Sequence, residues 1–348
     1  MNEKSDNTQL QTVDRVARDL SDGLMLIDNQ GTIQFINPSA SRLLGNDALR
    51  EGITYAEYMA SDGNSANDAF HQYVLDCVYD KDARHAGAVT YTHPDGSVRY
   101  FKIAASYAGS MDGPRKSGVI LRVTDITDLH LAKVKHDDTI KVLIGTITLM
   151  ALWDYLVAIW EQMGRPISST ALTVIIEVIG VIATVFALRY TSITVTDFGL
   201  GTKNLKKNIL VDSALTAAVL ALMIVVKLFL RQFFPNIISP DRPFFRWDAL
   251  QAVDLLYIPT VVLQEFLVRG VTQGSLERIL PENYPPAVAI IVSSLVFGSI
   301  HIHKGLVFMV GAACLLCFFG FLYRKQGNIW GLCIPHLFLS WALRVIWG

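Results

Sequence analysis

From Val142 to the end of the chain, apolar stretches follow one another with only short polar interruptions. The candidate segments are Val142–Trp160, Ala171–Arg189, Ile209–Leu230, Leu250–Arg269, Ala287–Ile302, Gly305–Tyr323 and Ile329–Trp347. A helix needs ~20 largely apolar residues to cross the hydrocarbon core of a bilayer. Backbone groups in lipid must be satisfied within the segment, so runs of this kind have to be helical. The expectation is an all-α polytopic membrane bundle of about seven helices over residues 142–348. Its fifth segment is short enough to be a partial or tilted span.

Charge separates the rest of the chain from this bundle. Residues 1–140 carry 14 Lys/Arg against 20 Asp/Glu, and residues 141–348 carry 16 against 11. Only 18% of the whole chain is charged, against ~25% in ordinary soluble domains, and the deficit lies in the C-terminal part. Neither part has a basic patch of the size nucleic-acid binding requires. The first 22 residues are polar and offer no apolar core for a signal peptide, which leaves the N-terminal domain in the cytoplasm. Lys133, Lys135 and Lys141 precede the first segment, and Arg189, Lys203, Lys206 and Lys207 lie between the second and third. Arg278 follows the fourth, and Arg324 and Lys325 follow the sixth. By the positive-inside rule this gives a cytoplasmic N-terminus in an inner or cell membrane, although Arg231, Arg242 and Arg246 lie on the opposite side. Of the four cysteines, Cys314, Cys317 and Cys333 lie in apolar segments and Cys77 does not, so no disulfide framework is expected.

The soluble part reads as α+β. Leu10, Val13, Val16, Ala17 and Leu20 fall at helical spacing within residues 8–22. Strand-like runs over 23–28 and 32–36 flank Asn29-Gln30-Gly31, a hairpin turn signal. Asn37-Pro38-Ser39 then offers a cap for a helix reaching Leu44. A helical stretch over 68–79 precedes strands over 88–92, 98–107 and 118–125. The pieces GLMLIDNQGTIQFINPSASRLLG, HPDGSVRYFKIA and RVTDITDLH resemble a PAS domain over residues 10–130. Asp125-Ile126-Thr127 is similar to the motif that ends many such domains and leads into an output helix. The resemblance implies a sensor fold, with the sensed ligand open and pairing into a homodimer expected of many relatives. Cys77 lacks the surroundings of a flavin-reactive cysteine. His71 sits where some PAS domains hold haem, but a lone histidine there reads as a packing or surface residue. Residues 131–141 form a linker helix, either transmitting sensor motion to the first span or merely tethering it.

Ionisable groups inside apolar spans are costly and are functional candidates by default. Here they are Asp154, Glu177, Asp212, Asp254, Glu265, Arg269, His301, His336 and Arg344. Asp154, Asp212 and Arg344 are close enough to segment ends to reach the interface. Glu265 and Arg269 are four apart, on one helical face, and can pair. His301 and His336 lie on two further segments, the latter just after Pro335.

Four stretches within residues 190–348 together resemble the CAAX-processing and bacteriocin-processing (CPBP, or Abi) family of intramembrane proteases. They are Asp197-Phe198-Gly199-Leu200, Gln264-Glu265-Phe266-Leu267-Val268-Arg269-Gly270, Phe297-Gly298-Ser299-Ile300-His301, and Tyr323 to Trp330 followed by His336-Leu337-Phe338-Leu339-Ser340. The resemblance implies hydrolysis of a peptide bond in a membrane protein or peptide, within the lipid bilayer and with no cofactor required. A glutamate and His301 would activate water, His336 and Ser340 would steady the oxyanion, and Arg269 would hold the carboxylates.

Two positions depart from the family pattern. Gln264 stands where the family generally has its basic glutamate, and an amide cannot act as a general base. Ser340 stands where Asn is usual. Three readings stay open: Glu265 takes over, the chain is an inactive relative, or Gln264 is an introduced change. Glu265 is turned ~100° around the helix from position 264. A non-catalytic membrane signalling or scaffold protein is the rival reading, and a transporter-like pathway is a weaker third, with no internal inverted repeat visible. There is no His-Glu-x-x-His helix, and Cys314-x-x-Cys317 lacks a second ligand pair, so a zinc site would have to come from Glu265, His301 and His336.

Overall fold

The computed structural model describes residues 15–79, 86–108, 118–167, 169–239 and 241–347. The chain divides into two compact units, Met1–Lys133 and Val134–Gly348.

The first unit is built on a five-stranded antiparallel sheet of β1 (Gly23–Asp28), β2 (Ile33–Ile36), β3 (Ala86–Thr92), β4 (Val98–Ala108) and β5 (Gly118–Asp125). Its strand order is β2-β1-β5-β4-β3. Registers such as Met25 opposite Leu121 and Ile103 opposite Val123 stack alternate residues on one face. Those side chains are fully buried in a single core. Asn37 caps α1 (Pro38–Leu44) by accepting from the Ala40 amide at 2.9 Å, with Pro38 in the first turn. The helix expected over residues 8–22 is described from residue 15 only, and residues 15–19 are helical.

Two elements here have no counterpart in the sequence reading. They are α2 (Tyr55–Asp62), started by a Thr54/Glu57 capping box, and a short 3₁₀ turn at Ser65–Asn67. Both lie against α3 (Asp68–Tyr79), whose Phe70, His71, Val74, Cys77 and Val78 are buried. His71 is a packing residue with both ring nitrogens engaged. Its Nδ1 is 3.0 Å from the Tyr55 hydroxyl and its Nε2 3.0 Å from Asp62 Oδ2. The rings of Phe70, Tyr91 and Phe101 fill the space beside it. Burial pushes the Tyr55 phenol well up and the Cys77 thiol to about 11, which leaves the thiol little thiolate at neutral pH.

β5 ends in a fixed helix start. Asp125 Oδ1 accepts from the Thr127 amide at 2.9 Å and its hydroxyl at 2.5 Å, and Thr127 Oγ1 accepts from the Tyr100 amide at 3.0 Å. The helix that begins here, α4 (Thr127–Gln162), runs without a break for 36 residues. The expected linker and first span are therefore one element.

The second unit is helical. After α4 come α5 (Ser169–Tyr190), α6 (Leu205–Phe233), α7 (Tyr257–Glu265), α8 (Gly274–Ile279), α9 (Ala287–Ser299), α10 (Leu306–Gln326) and α11 (Cys333–Trp347). Four helical stretches are long and apolar enough to cross a membrane: Thr127–Gln162, Leu205–Phe233, Asp254–Ile279 and Leu306–Gln326. Val178–Tyr190, Ala287–Ser299 and Cys333–Trp347 are apolar but shorter. Large apolar side chains such as Ile182, Phe186, Leu222, Val225 and Phe229 point outward. Such a surface suits a lipid surround rather than water.

Three segment boundaries differ from expectation. The fourth opens as a 3₁₀ turn (Ala252–Leu256), continues through α7, widens into a π-helix at Phe266–Gln273, and ends as α8. The fifth stops at Ser299, leaving His301 at the start of the 3₁₀ turn Ile302–Lys304. The seventh becomes helical only at Cys333, after a turn that buries Ile329 and Leu332 completely. His336 thus sits one turn inside a helix that starts within the protein.

Asp212 does not reach an interface. It is wholly buried and accepts from Gln326 Nε2 at 2.7 Å. Arg344 pairs with Asp254 at 2.6 Å. Lys227, not singled out in the sequence, is buried with its ammonium on the Phe244 and Ile346 carbonyls. It thereby neutralises the negative end of α11.

Candidate active site

The site is built around the π-helix. Widening the turn to i→i+5 spacing brings consecutive polar residues of one helix to the protein interior, and such bulges are frequent at functional sites. Two glycines make it fit. A Cβ on Gly270 would overlap the Phe198 carbonyl oxygen. A Cβ on Gly320 would fall 2.6 Å from Ile290 Cγ2 and 3.1 Å from Arg269 Nη1. Phe198, from the Asp197-Phe198-Gly199-Leu200 stretch, meets Phe266 edge to face at 5.3 Å and closes this side of the core. Asp197 anchors the loop. Burial opposes its ionisation, but hydrogen bonds from Lys135 at 2.7 Å and from the Thr194 amide and hydroxyl hold its carboxyl down at about 2.

Glu265 and Arg269 are both 0% exposed and face each other at 3.5 Å. Desolvating either ion alone is expensive, so the pair is viable only because its remaining groups find partners. Arg269 Nη2 donates to the Leu316 carbonyl at 2.5 Å and Nη1 to Gln273 Oε1 at 3.2 Å. Gln273 Nε2 in turn donates to the Gly320 carbonyl and to Glu277 Oε1, and Glu277 meets Arg324 at 3.5 Å.

On the other side Glu265 Oε1 lies 2.6 Å from His336 Nδ1. With the proton on Nδ1, His336 donates to the Glu265 carboxylate across this contact. That tautomer leaves Nε2 of a neutral imidazole as a proton acceptor. Nε2 is 3.5 Å from the Tyr257 hydroxyl, which also donates to Ser340 Oγ at 3.4 Å. His336 and Ser340 are four apart and share one face of α11.

Of the six residues singled out in the sequence, four converge: Glu265, Arg269, His336 and, through Tyr257, Ser340. Gln264 is half-buried and takes no part in these contacts. His301 shares no hydrogen bond with these groups, its Nδ1 lying 3.1 Å from the Phe297 carbonyl and its ring 5.6 Å from Phe308, but it is within electrostatic reach of His336. Among the described residues no three His, Cys, Asp or Glu side chains lie together as a metal-binding group. Sequence reading missed Tyr257 and Gln273. Gln273 had a signal, since 265, 269, 273 and 277 continue one four-residue ladder. Tyr257 had none, because a lone aromatic residue inside an apolar segment reads as packing.

The first unit is similar to solved PAS domains. One, from an HTR-like protein of Haloarcula marismortui, is 20% identical, covers 36% of this chain and 98% of its own, and has a TM-score of 0.27. Another, from Bordetella pertussis BvgS, is 19% identical, covers 34% and 88%, and also scores 0.27. No curated protein sequence matches the chain. Two family profiles do, one for the PAS fold over residues 11–126 and one described as type II CAAX prenyl endopeptidase Rce1-like over residues 246–342. The second span contains Tyr257, Glu265, Arg269, His301, His336 and Ser340, and thus the whole hydrogen-bonded site. The chain therefore joins an N-terminal part that matches the PAS fold to a membrane-type helical part, residues 246–342 of which match the Rce1-like CAAX endopeptidase profile.

Proposed function

We propose that this protein is an intramembrane endopeptidase, with water activated by the Glu265–His336 pair and activity governed by a cytoplasmic PAS domain. The 2.6 Å contact between Glu265 and His336 Nδ1 is the observation that carries the reading. It supports a division of labour different from the one the family resemblance implies. With Gln264 unable to accept a proton, His336 is the base at Nε2, and Glu265 fixes its tautomer and stabilises the imidazolium that forms. Arg269 holds Glu265 in place. In the reaction, Nε2 takes a proton from water as the water oxygen bonds to the peptide carbonyl carbon. Collapse of the tetrahedral intermediate breaks the C–N bond, and the same proton passes to the leaving amine. The substrate is a membrane-associated peptide, and the helix bundle is a multi-pass inner-membrane body. Regulation is supported by α4, which begins at the PAS sheet and carries Lys135 onto Asp197, next to the loop that buries Phe198 under the π-helix.

Gln264 favours one rival, a proteolytically silent membrane scaffold. The test uses the full chain in nanodiscs and an internally quenched, prenylated CAAX peptide. Cleavage by the chain as written, lost on His336→Ala with folding retained, is the expected result. Cleavage by Gln264→Glu alone identifies a silenced protease. Intact peptide with both forms, each folded, decides for the scaffold.

A further inference from the structure

We infer that Tyr257 is an oxyanion donor of this site, supplying with Ser340 the hydrogen bonds that a histidine acting as base cannot give. The inference rests on the peptidase reading above and names a residue that reading does not use. Its starting point is a donor count. While Nε2 of His336 accepts the proton from water, the same atom has no hydrogen to offer the carbonyl oxygen. Ser340 has a single, short-armed O–H where the family's usual Asn presents an amide. One donor is missing, and an unstabilised tetrahedral oxyanion in a low-dielectric site is very costly.

Tyr257 stands where that donor is needed. Its hydroxyl lies 3.4 Å from Ser340 Oγ and 3.5 Å from His336 Nε2, with its ring edge-on to the imidazole. These separations are long for direct hydrogen bonds, and each hydroxyl can turn to a reacting oxygen placed beside the pair. A water bound to Nε2 and a carbonyl oxygen between the two hydroxyls would meet both requirements at once.

The position is fixed from both flanks. Asp254, three residues before Tyr257, pairs with Arg344, four residues after Ser340, at 2.6 Å. Asp254 also accepts from the Gln251 amide at 2.7 Å. The start of α7 and the second half of α11 are thus clipped together just beyond the two hydroxyls. As the developing negative charge forms on oxygen, both O–H groups donate to it and keep their protons. The leaving amine takes the proton held on Nε2.

Tyr257→Phe, which deletes one oxygen, tests this with the same peptide and the full chain in nanodiscs. The expected result is a fall in kcat of ~100–1000-fold, as for loss of one oxyanion donor, with KM and melting temperature unchanged. Adding Ser340→Asn to Tyr257→Phe should restore at least part of kcat by returning a second N–H donor. Wild-type kcat in Tyr257→Phe overturns the inference, as does a fall accompanied by a lower melting temperature and no rescue by Ser340→Asn. If His336→Ala stops cleavage and Tyr257→Phe does not, the inference falls and the peptidase reading stands. If neither the wild-type chain nor Gln264→Glu cuts, both fall together.

Discussion

Arg269, which holds Glu265 in the proposed mechanism, also constrains stability. Its guanidinium is wholly buried, and Glu265 is its only ionic partner among the described residues. Removing one member of a buried pair leaves the other charged and unpaired, at a cost of about 3–5 kcal/mol. Glu265→Gln should therefore destabilise the helical part by that order in thermal unfolding in detergent. Glu265→Leu combined with Arg269→Met should lose much less, because apolar replacement of both partners removes the desolvation penalty with the attraction. Equal losses in the single and double variants would show that the pair contributes packing rather than charge. At this scale the sequence was partly legible. The four-residue spacing of Glu265 and Arg269 announced their pairing, and the buried setting followed from the apolar run around them. The grip of Glu265 on His336 was not legible, since 71 residues separate them and only the packing of α7 on α11 brings them together.

Among the elements, β1 and β5 could be read closely because inward and outward residues alternate along them, and β1 ends at the Asn29-Gln30-Gly31 turn. α2 escaped notice because only Tyr55 and Tyr58 are buried along its length, too few to set up a helical period. The π-helix escaped because one inserted residue per turn leaves no compositional mark. Its expectation is sharper. Gly270 touches the backbone of Phe198, so Gly270→Ala must push that loop away or narrow the turn. Overpacking of this kind typically costs about 1–3 kcal/mol. Gly270→Ala should lower the melting temperature and also abolish peptide cleavage, because the wide turn sets where Arg269 meets Glu265. Retained activity with lowered stability would separate the π-turn from the chemistry.

For the molecule as a whole, composition alone distinguished an acidic part from an oily one, and the apolar runs located the long helices of the second unit but not the short α8, Gly274–Ile279. What composition cannot carry is the meaning of the unbroken helix α4, which starts at Asp125-Ile126-Thr127 and continues for 36 residues. If PAS control passes along it, two glycines inserted after Lys133 should leave both parts folded. Cleavage rate should then become equal to that of a chain lacking residues 1–130. An inserted chain that still tracks the full-length rate would mean that the helix is a tether. The polar ladder behind the site bears on the same question. Glu265, Arg269, Gln273 and Glu277 mesh with the Leu316 and Gly320 carbonyls and with Arg324, so α10 can slide along its neighbour only by unzipping every rung. Any force reaching Arg324 at the rim is thereby felt as tension on the acid that orients the histidine, and relief at that distant arginine would slacken the whole file at once.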